Sequence, residues 1–302
     1  MPPNTRNPGL ALAFSSAFAY TCFDTAVKAF LHEITVWGML FIRGLIGIAI
    51  VMLLARVFRR RLWGGNRAAL AAVGLCGFLS SVCNATSVAS IPLYQALVLI
   101  YLYPVFTLLL AAPFNNETVA RRDLILVGLA LLGCVILVWP NEAIGLTIGW
   151  GHLIGVSGAL LYSLGQVLIR RLGDGNSGLE PTFFYSLYAV VLSLPLAYIF
   201  SGGMGISTAG GFRTALALAA LGVASQGLGY AALRWLPGFK VGLIGTLELP
   251  AGTVISWLLF NDPMSPRALF GGLIIVIVAF QLRKSALTAS RPKSGDVDKI
   301  IS

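Results

Sequence analysis

An ionisable side chain at the depth of a hydrocarbon core costs roughly 2.5–3.5 kcal/mol on insertion scales, so each one inside an apolar run is a candidate for chemistry. Glu248 is the sharpest. It stands in Leu247-Glu248-Leu249-Pro250, near the centre of an apolar run, with no basic residue within a turn or two. Such a carboxyl suits proton exchange or the binding of a substrate amine; the alternative is a hydrogen bond to a neighbouring helix. Asp24 and Lys28 lie one helical turn apart and can neutralise each other, with Lys28 reaching outward from the helix end. Arg43 can neutralise Asp24 instead, or hold a substrate carboxylate in its planar fork of donors.

Neutral polar residues surround these charges. Asn84, Gln95, Gln166 and Gln226 suit ligand contact or helix-to-helix hydrogen bonding equally. Tyr20 with Asp24, Tyr162 with Gln166, and Gln226 with Tyr230 share a helical face at i, i+4 spacing. Tyr101 and Tyr103 flank the bend expected at Pro104, where the missing N–H frees a carbonyl. The substrate-binding candidates are therefore Glu248, Asp24, Arg43, Tyr20, Asn84, Gln95, Tyr101, Tyr103, Tyr162, Gln166, Gln226 and Tyr230, with Glu248 the candidate for proton coupling.

Other chemistries lack their residues. His32 and His152 have no second His, Cys or acidic partner at ligand spacing, so no metal site is expected. Cys22, Cys76, Cys83 and Cys134 make no Cys-x-x-Cys pair and suit buried apolar positions. Asp174-Gly175-Asn176-Ser177-Gly178 lacks the acidic end of a calcium loop and reads as a turn. No phosphate-binding Gly-x-x-x-x-Gly-Lys-Ser/Thr loop is present, and no cofactor is expected.

The elements that must position these residues are membrane helices. Apolar residues make up 57% of the 302 and charged residues 11%, with mean hydropathy +0.86; soluble domains carry about twice that charge. The apolar runs are continuous and long enough for a helix across a ~30 Å core. Spans are expected at 10–31, 34–56, 68–89, 93–114, 122–139, 148–170, 181–200, 213–234, 240–260 and 267–283. The first is too long for a signal-peptide apolar region and is read as mature protein. From Lys284 a disordered, solvated tail is expected.

The net charge of +10 comes from short basic clusters between spans, which the positive-inside rule explains better than nucleic acid does. Of the 21 Lys and Arg, 17 fall in the termini and in the loops after spans two, four, six and eight; only Arg213 and Arg267 fall opposite. Ten spans with both termini in the cytoplasm satisfy that bias, in a multi-pass protein of the inner membrane.

The chain also repeats itself. Ser90 to Thr118 has a proline near its middle and an Asn-Asn-Glu exit; 146 positions later Glu248-Leu249-Pro250 and Asn261-Asp262-Pro263 follow the same plan. Ala17, Tyr20, Asp24 and Lys28 align with Ala159, Tyr162, Gln166 and Arg170 at an offset of 142. At that offset Phe41-Ile42-Arg43-Gly44-Leu45 faces Phe183-Phe184-Tyr185-Ser186-Leu187, and Val127-Gly128-Leu129 matches Gly271-Gly272-Leu273 at 144. Each half has five spans, an odd number, so the second enters the membrane in the opposite sense. The expected fold is all-α integral membrane, ten transmembrane helices as two inverted five-helix repeats, 8–140 and 147–284, with a tail from 285 to 302.

Two five-helix halves, a proline-centred fourth helix followed by Asn115-Asn116-Glu117, and a glycine-containing fifth helix resemble the drug/metabolite transporter superfamily, EamA type, over roughly residues 8 to 284. The second half departs from that pattern at Asn261-Asp262-Pro263, and Glu248 is not a general feature of the family. The resemblance implies that helices 1, 3, 4, 6, 8 and 9 surround a cavity and that members mostly export or exchange small metabolites. Helix 2 is outside that set, which favours a packing role for Arg43. The expected function is secondary transport, as an exporter, of a small polar or zwitterionic metabolite: an amino acid or a derived compound, an opine-type metallophore being one such. The partners are that small molecule and membrane lipid, with a homodimer left open and nucleic acid excluded. The other readings are a channel or lipid flippase, and an integral-membrane enzyme, which the scarcity of nucleophile–base pairs disfavours.

Overall fold

A computed structural model describes residues 8–30, 35–59, 62, 66–91, 93–115, 120–138, 149–172, 178–203, 209–260 and 265–289. Within them the chain forms twelve helices: α1 (Pro8–Phe30), α2 (Val36–Val57), α3 (Arg67–Ser90), α4 (Leu93–Ile100), α5 (Tyr103–Asn115), α6 (Arg121–Val138), α7 (Trp150–Arg171), α8 (Leu179–Ser201), α9 (Ala209–Ala232), α10 (Gly238–Gly245), α11 (Glu248–Phe260) and α12 (Pro266–Ala289). In lipid every backbone group must find a partner within its own segment, and the helix supplies that. Polar side chains at the entrances satisfy orphan N–H groups: Thr35 accepts from Gly38 N at 3.2 Å, and Asn66 from Ala69 N at 3.1 Å.

Seven stretches are long and apolar enough to cross a membrane, two of them the successive pairs α4–α5 and α10–α11. The helix α6 is not among them, opening on Arg121-Arg122-Asp123, nor is α1, whose serines, threonines and Asp24 lower its hydropathy. Outward faces carry large apolar side chains such as Phe18, Leu53, Ile125, Phe200 and Leu258, whereas serines, threonines and glycines fill the contacts between helices. That inversion of the soluble pattern is what lipid as a solvent demands.

The expected fourth and ninth spans are each interrupted. Around Tyr101-Leu102 the bonding tightens to Leu102 N→Leu99 O (3.2 Å) and Val105 N→Leu102 O (3.0 Å). Around Thr246-Leu247 it becomes Leu247 N→Ile244 O (3.1 Å) and Leu249 N→Thr246 O (3.2 Å). Pro104 and Pro250, without N–H groups, sit in the first turns of α5 and α11, where none is needed.

The largest helix contacts recur when α1–α6 and α7–α12 are exchanged. The pair α1 with α9 matches α7 with α3; α2 with α9 matches α8 with α3; α2 with α8 and α6 with α12 map onto themselves. A serine hydroxyl ties both members of the first match: Ser16 Oγ donates to Ser225 O, and Ser80 Oγ to Gly158 O, each at 2.8 Å. Where α6 crosses α12 the backbones touch, and a Cβ at Gly271 would lie 2.6 Å from both Gly133 O and Leu137 N.

The helices begin and end within four residues of the expected spans, except that α12 runs to Ala289, through the Lys284-Ser285-Ala286-Leu287 turn assigned to the tail. Good helix formers there let the hydrogen-bonded ladder propagate. His32, Glu117, Asn261, Asp262 and the 174–177 turn lie outside the described residues, as does the Lys28 side chain.

Candidate functional site

The two helix breaks bring a carboxyl pair together. The bend at Thr246-Leu247 makes Glu248 the first residue of α11, where the helix dipole favours negative charge. Its carboxyl group lies beside that of Asp24 on α1 and beside the Tyr101 hydroxyl at the other break, within hydrogen-bonding reach of both. Asp24 keeps an exposed side although side chains from α2 and α11 converge on it.

Tyrosines line the same region. The rings of Tyr101 and Tyr103 lie 6.4 Å apart, and Tyr103 meets Tyr162 of α7 edge-on at 5.0 Å. The Tyr103 hydroxyl donates to Gly242 O at 3.0 Å, joining one break to the helix before the other. A Cβ at Gly242 would stand 2.8 Å from that ring, which is why glycine is required there. Ser163 Oγ donates to Tyr103 O at 2.8 Å, so a carbonyl beside the bend is taken up by α7. Tyr20, one turn before Asp24, hydrogen-bonds with Arg43 and neighbours Tyr162 and Glu248.

Arg43 is buried beside this group. Its Nη2 donates to Gly222 O at 2.9 Å and Gln226 Oε1 at 3.1 Å. The guanidinium lies 5.3 Å from the Phe23 ring centre and 5.4 Å from that of Tyr185. Gln226 passes the chain on, Nε2 donating to the Tyr230 hydroxyl at 2.8 Å. Gln166 bonds with Tyr162, one turn away, while its buried Oε1 has no partner among the described residues.

Ten of the twelve expected residues thus converge: Tyr20, Asp24, Arg43, Tyr101, Tyr103, Tyr162, Gln166, Gln226, Tyr230 and Glu248. Asn84 and Gln95 are tied in elsewhere. Asn84 lies against Gly158 where α3 crosses α7, its buried Oδ1 unpartnered among the described residues. Gln95 pairs its Oε1 with His152 Nε2 at 2.8 Å, near the start of α7. His152 Nδ1 accepts from Gly149 N at 3.1 Å, so Nε2 carries the proton and donates to Gln95. Ten residues, about 15 Å of helix, separate His152 from Tyr162. Phe23 and Tyr185 belong to the site and were not foreseen; Tyr185 was signalled only by its alignment with Arg43. Among the described residues no three His, Cys, Asp or Glu side chains gather as metal ligands would.

The EamA-like transporter family matches the chain twice, over residues 7–139 and 149–282. The chain belongs to that family. Among curated relatives, this EamA-like chain is 25% identical over 281 residues to the pseudopaline exporter CntI of Pseudomonas aeruginosa, covering 92% of this chain and 96% of that one. It is 23% identical over 228 residues to a riboflavin transporter of Rhizobium johnstonii, covering 75% and 71%. A solved crystal structure with 17% identity superposes at a TM-score of 0.76 over 91% of this chain and 97% of the other, which shows a shared fold. A duplicated family domain, apolar helices and exporter-named relatives make this a multi-pass membrane protein of a transporter family.

Proposed function

We propose that this EamA-like chain is a secondary transporter that exports a small polar or zwitterionic metabolite by alternating access. The observation that carries the reading is the Asp24–Glu248 carboxyl pair, set where two interrupted helices meet between halves whose largest helix contacts recur. Sites at such breaks are common in carriers built from inverted repeats, where rocking of the halves opens the site to each side in turn. Counting α4–α5 and α10–α11 as one span each gives ten, and with the Lys and Arg distribution this supports a cytoplasmic position for both termini. The exporter name of the Pseudomonas relative supports the outward direction, and an opine-type metallophore is one compound of the proposed class.

The pair suggests how an ion and a substrate exchange. A hydrogen bond between two carboxyl groups needs a proton on one of them. An arriving substrate ammonium displaces that proton and takes its place between the oxygens; reprotonation after release resets the site. Metabolites inside and outside cells with and without the protein test the reading. A compound that accumulates outside only with the protein present supports export, and its transport by Glu248→Gln should lose its dependence on pH. Full pH dependence in that variant sinks the proton-coupling step, and no differing metabolite sinks export.

A further inference from the structure

Resting on the transport reading above, we propose that the central site is a charge filter: it takes compounds that bring an ammonium or comparable organic cation, and a substrate carboxylate is neither required nor held by Arg43. The inference comes from an inventory of hydrogen-bonding capacity. Most donors in the region are committed. Arg43 Nη2 serves two acceptors on α9, while Arg43 Nε, buried and without a hydrogen-bond partner among the described residues, packs over Gly222, where a Cβ would meet it at 3.0 Å. Gln226 Nε2 is committed to Tyr230, and the Tyr103 hydroxyl to Gly242 O. The rings of Phe23 and Tyr185 also crowd the guanidinium, and because Nη2 takes part in both of its donor forks, a carboxylate has no free edge to approach in the bidentate geometry that arginine offers.

Acceptors, by contrast, are in surplus. Asp24 and Glu248 contribute four oxygens, with Asp24 exposed on one side. Gln166 Oε1 is buried and unpartnered among the described residues, one turn from Tyr162. A ligand satisfies this imbalance by bringing donors and positive charge. Tyr20, Tyr101, Tyr103 and Tyr162, on three parts of the bundle, present rings and hydroxyls around the carboxyls, an arrangement that stabilises a cation against π faces. Zwitterions then enter through their ammonium end, while dianions of the same length are refused. Arg43 acts as a positioning residue: it fixes Tyr20 and Gln226 and offsets the carboxyl charge from a distance.

Three five-carbon probes differing only in their ends test this: pentane-1,5-diamine, 5-aminopentanoate and glutarate, titrated against purified full-length protein in detergent while its thermal unfolding is followed. The diamine and the amino acid should raise the unfolding temperature and glutarate should not. Asp24→Asn and Glu248→Gln, near-isosteric changes screened for monodispersity, should weaken both responses by roughly thirtyfold or more, the scale on which losing one member of a buried charged contact acts. Arg43→Lys should leave the ratio of diamine to amino acid unchanged. Binding of glutarate as strong as that of the diamine, a response to none of the three, or an Arg43→Lys loss confined to the amino acid overturns the proposal. Export itself is judged separately: a compound exported from cells that carries no cationic group leaves the transport reading standing and removes this one.

Discussion

On α1, Tyr20 and Asp24 occupy the positions that Tyr162 and Gln166 hold on α7; Arg43 on α2 stands where Tyr185 stands on α8; and Glu248 at the second break corresponds to Leu102 at the first. The two halves share helices, breaks, prolines and crossing contacts, yet every charge in the centre falls on one member of each pair. Repetition accounts for the scaffold, and departure from repetition accounts for the chemistry. The stacking of Arg43 on Tyr185 shows how the two combine, because equivalent residues meet where α2 crosses α8 and only one of them is charged.

The largest contrast expected is at the breaks. Glu248→Gln should lower export by roughly thirtyfold or more, since one partner of a buried carboxyl contact is lost. Its counterpart change, Leu102→Met, preserves volume and should alter export by less than roughly tenfold. Efflux rates from loaded everted vesicles compare the two; equal losses would mean that both breaks serve packing alone.

The second contrast is between Arg43 and Tyr185. Arg43→Gln leaves Gly222 O and Gln226 Oε1 without their donor in a water-poor interior and should destabilise the bundle by about 3 kcal/mol. Tyr185→Phe keeps the ring and gives up only the 3.2 Å contact with Ser81, at about 1 kcal/mol. Unfolding midpoints in detergent decide the order, and a reversed order would remove Arg43 from its role between α2 and α9.

Smaller still is the difference between the aligned glycines Gly128 and Gly272. A Cβ on Gly128 meets nothing within 4 Å, so Gly128→Ala should be neutral or slightly stabilising. At Gly272 it meets Pro250 Cβ at 3.1 Å, and Gly272→Ala should cost about 1 kcal/mol and shift the α11 break that carries Glu248. The same unfolding measurement applies, together with efflux for the second variant. The smallest effect on export belongs to Gln95→Ala, which should remove the His152 contact at about 1 kcal/mol while changing export little, because it lies away from the carboxyl pair.

What the amino-acid order determined by itself was whatever lipid and periodicity dictate. Span positions, the repeat at offsets near 142 to 146, and the standing of Asp24, Arg43 and Glu248 as the costly residues all follow from one-dimensional pattern, because charge in an apolar run is conspicuous without knowing its neighbours. Which of those residues meet was decided only by the fold. Asp24 and Glu248 are 224 positions apart, and nothing local says that α1 lies against α11 rather than leaving Lys28 or Arg43 as the partner. Gln95 and Gln166 are alike in type and burial, yet one pairs with a histidine near the start of α7 and the other stands among tyrosines, because a helical face is assigned by what crosses it. Phe23 and Tyr185 carried too weak a signal to be chosen from sequence, since aromatic residues are ordinary in a membrane helix until a guanidinium is found beside them.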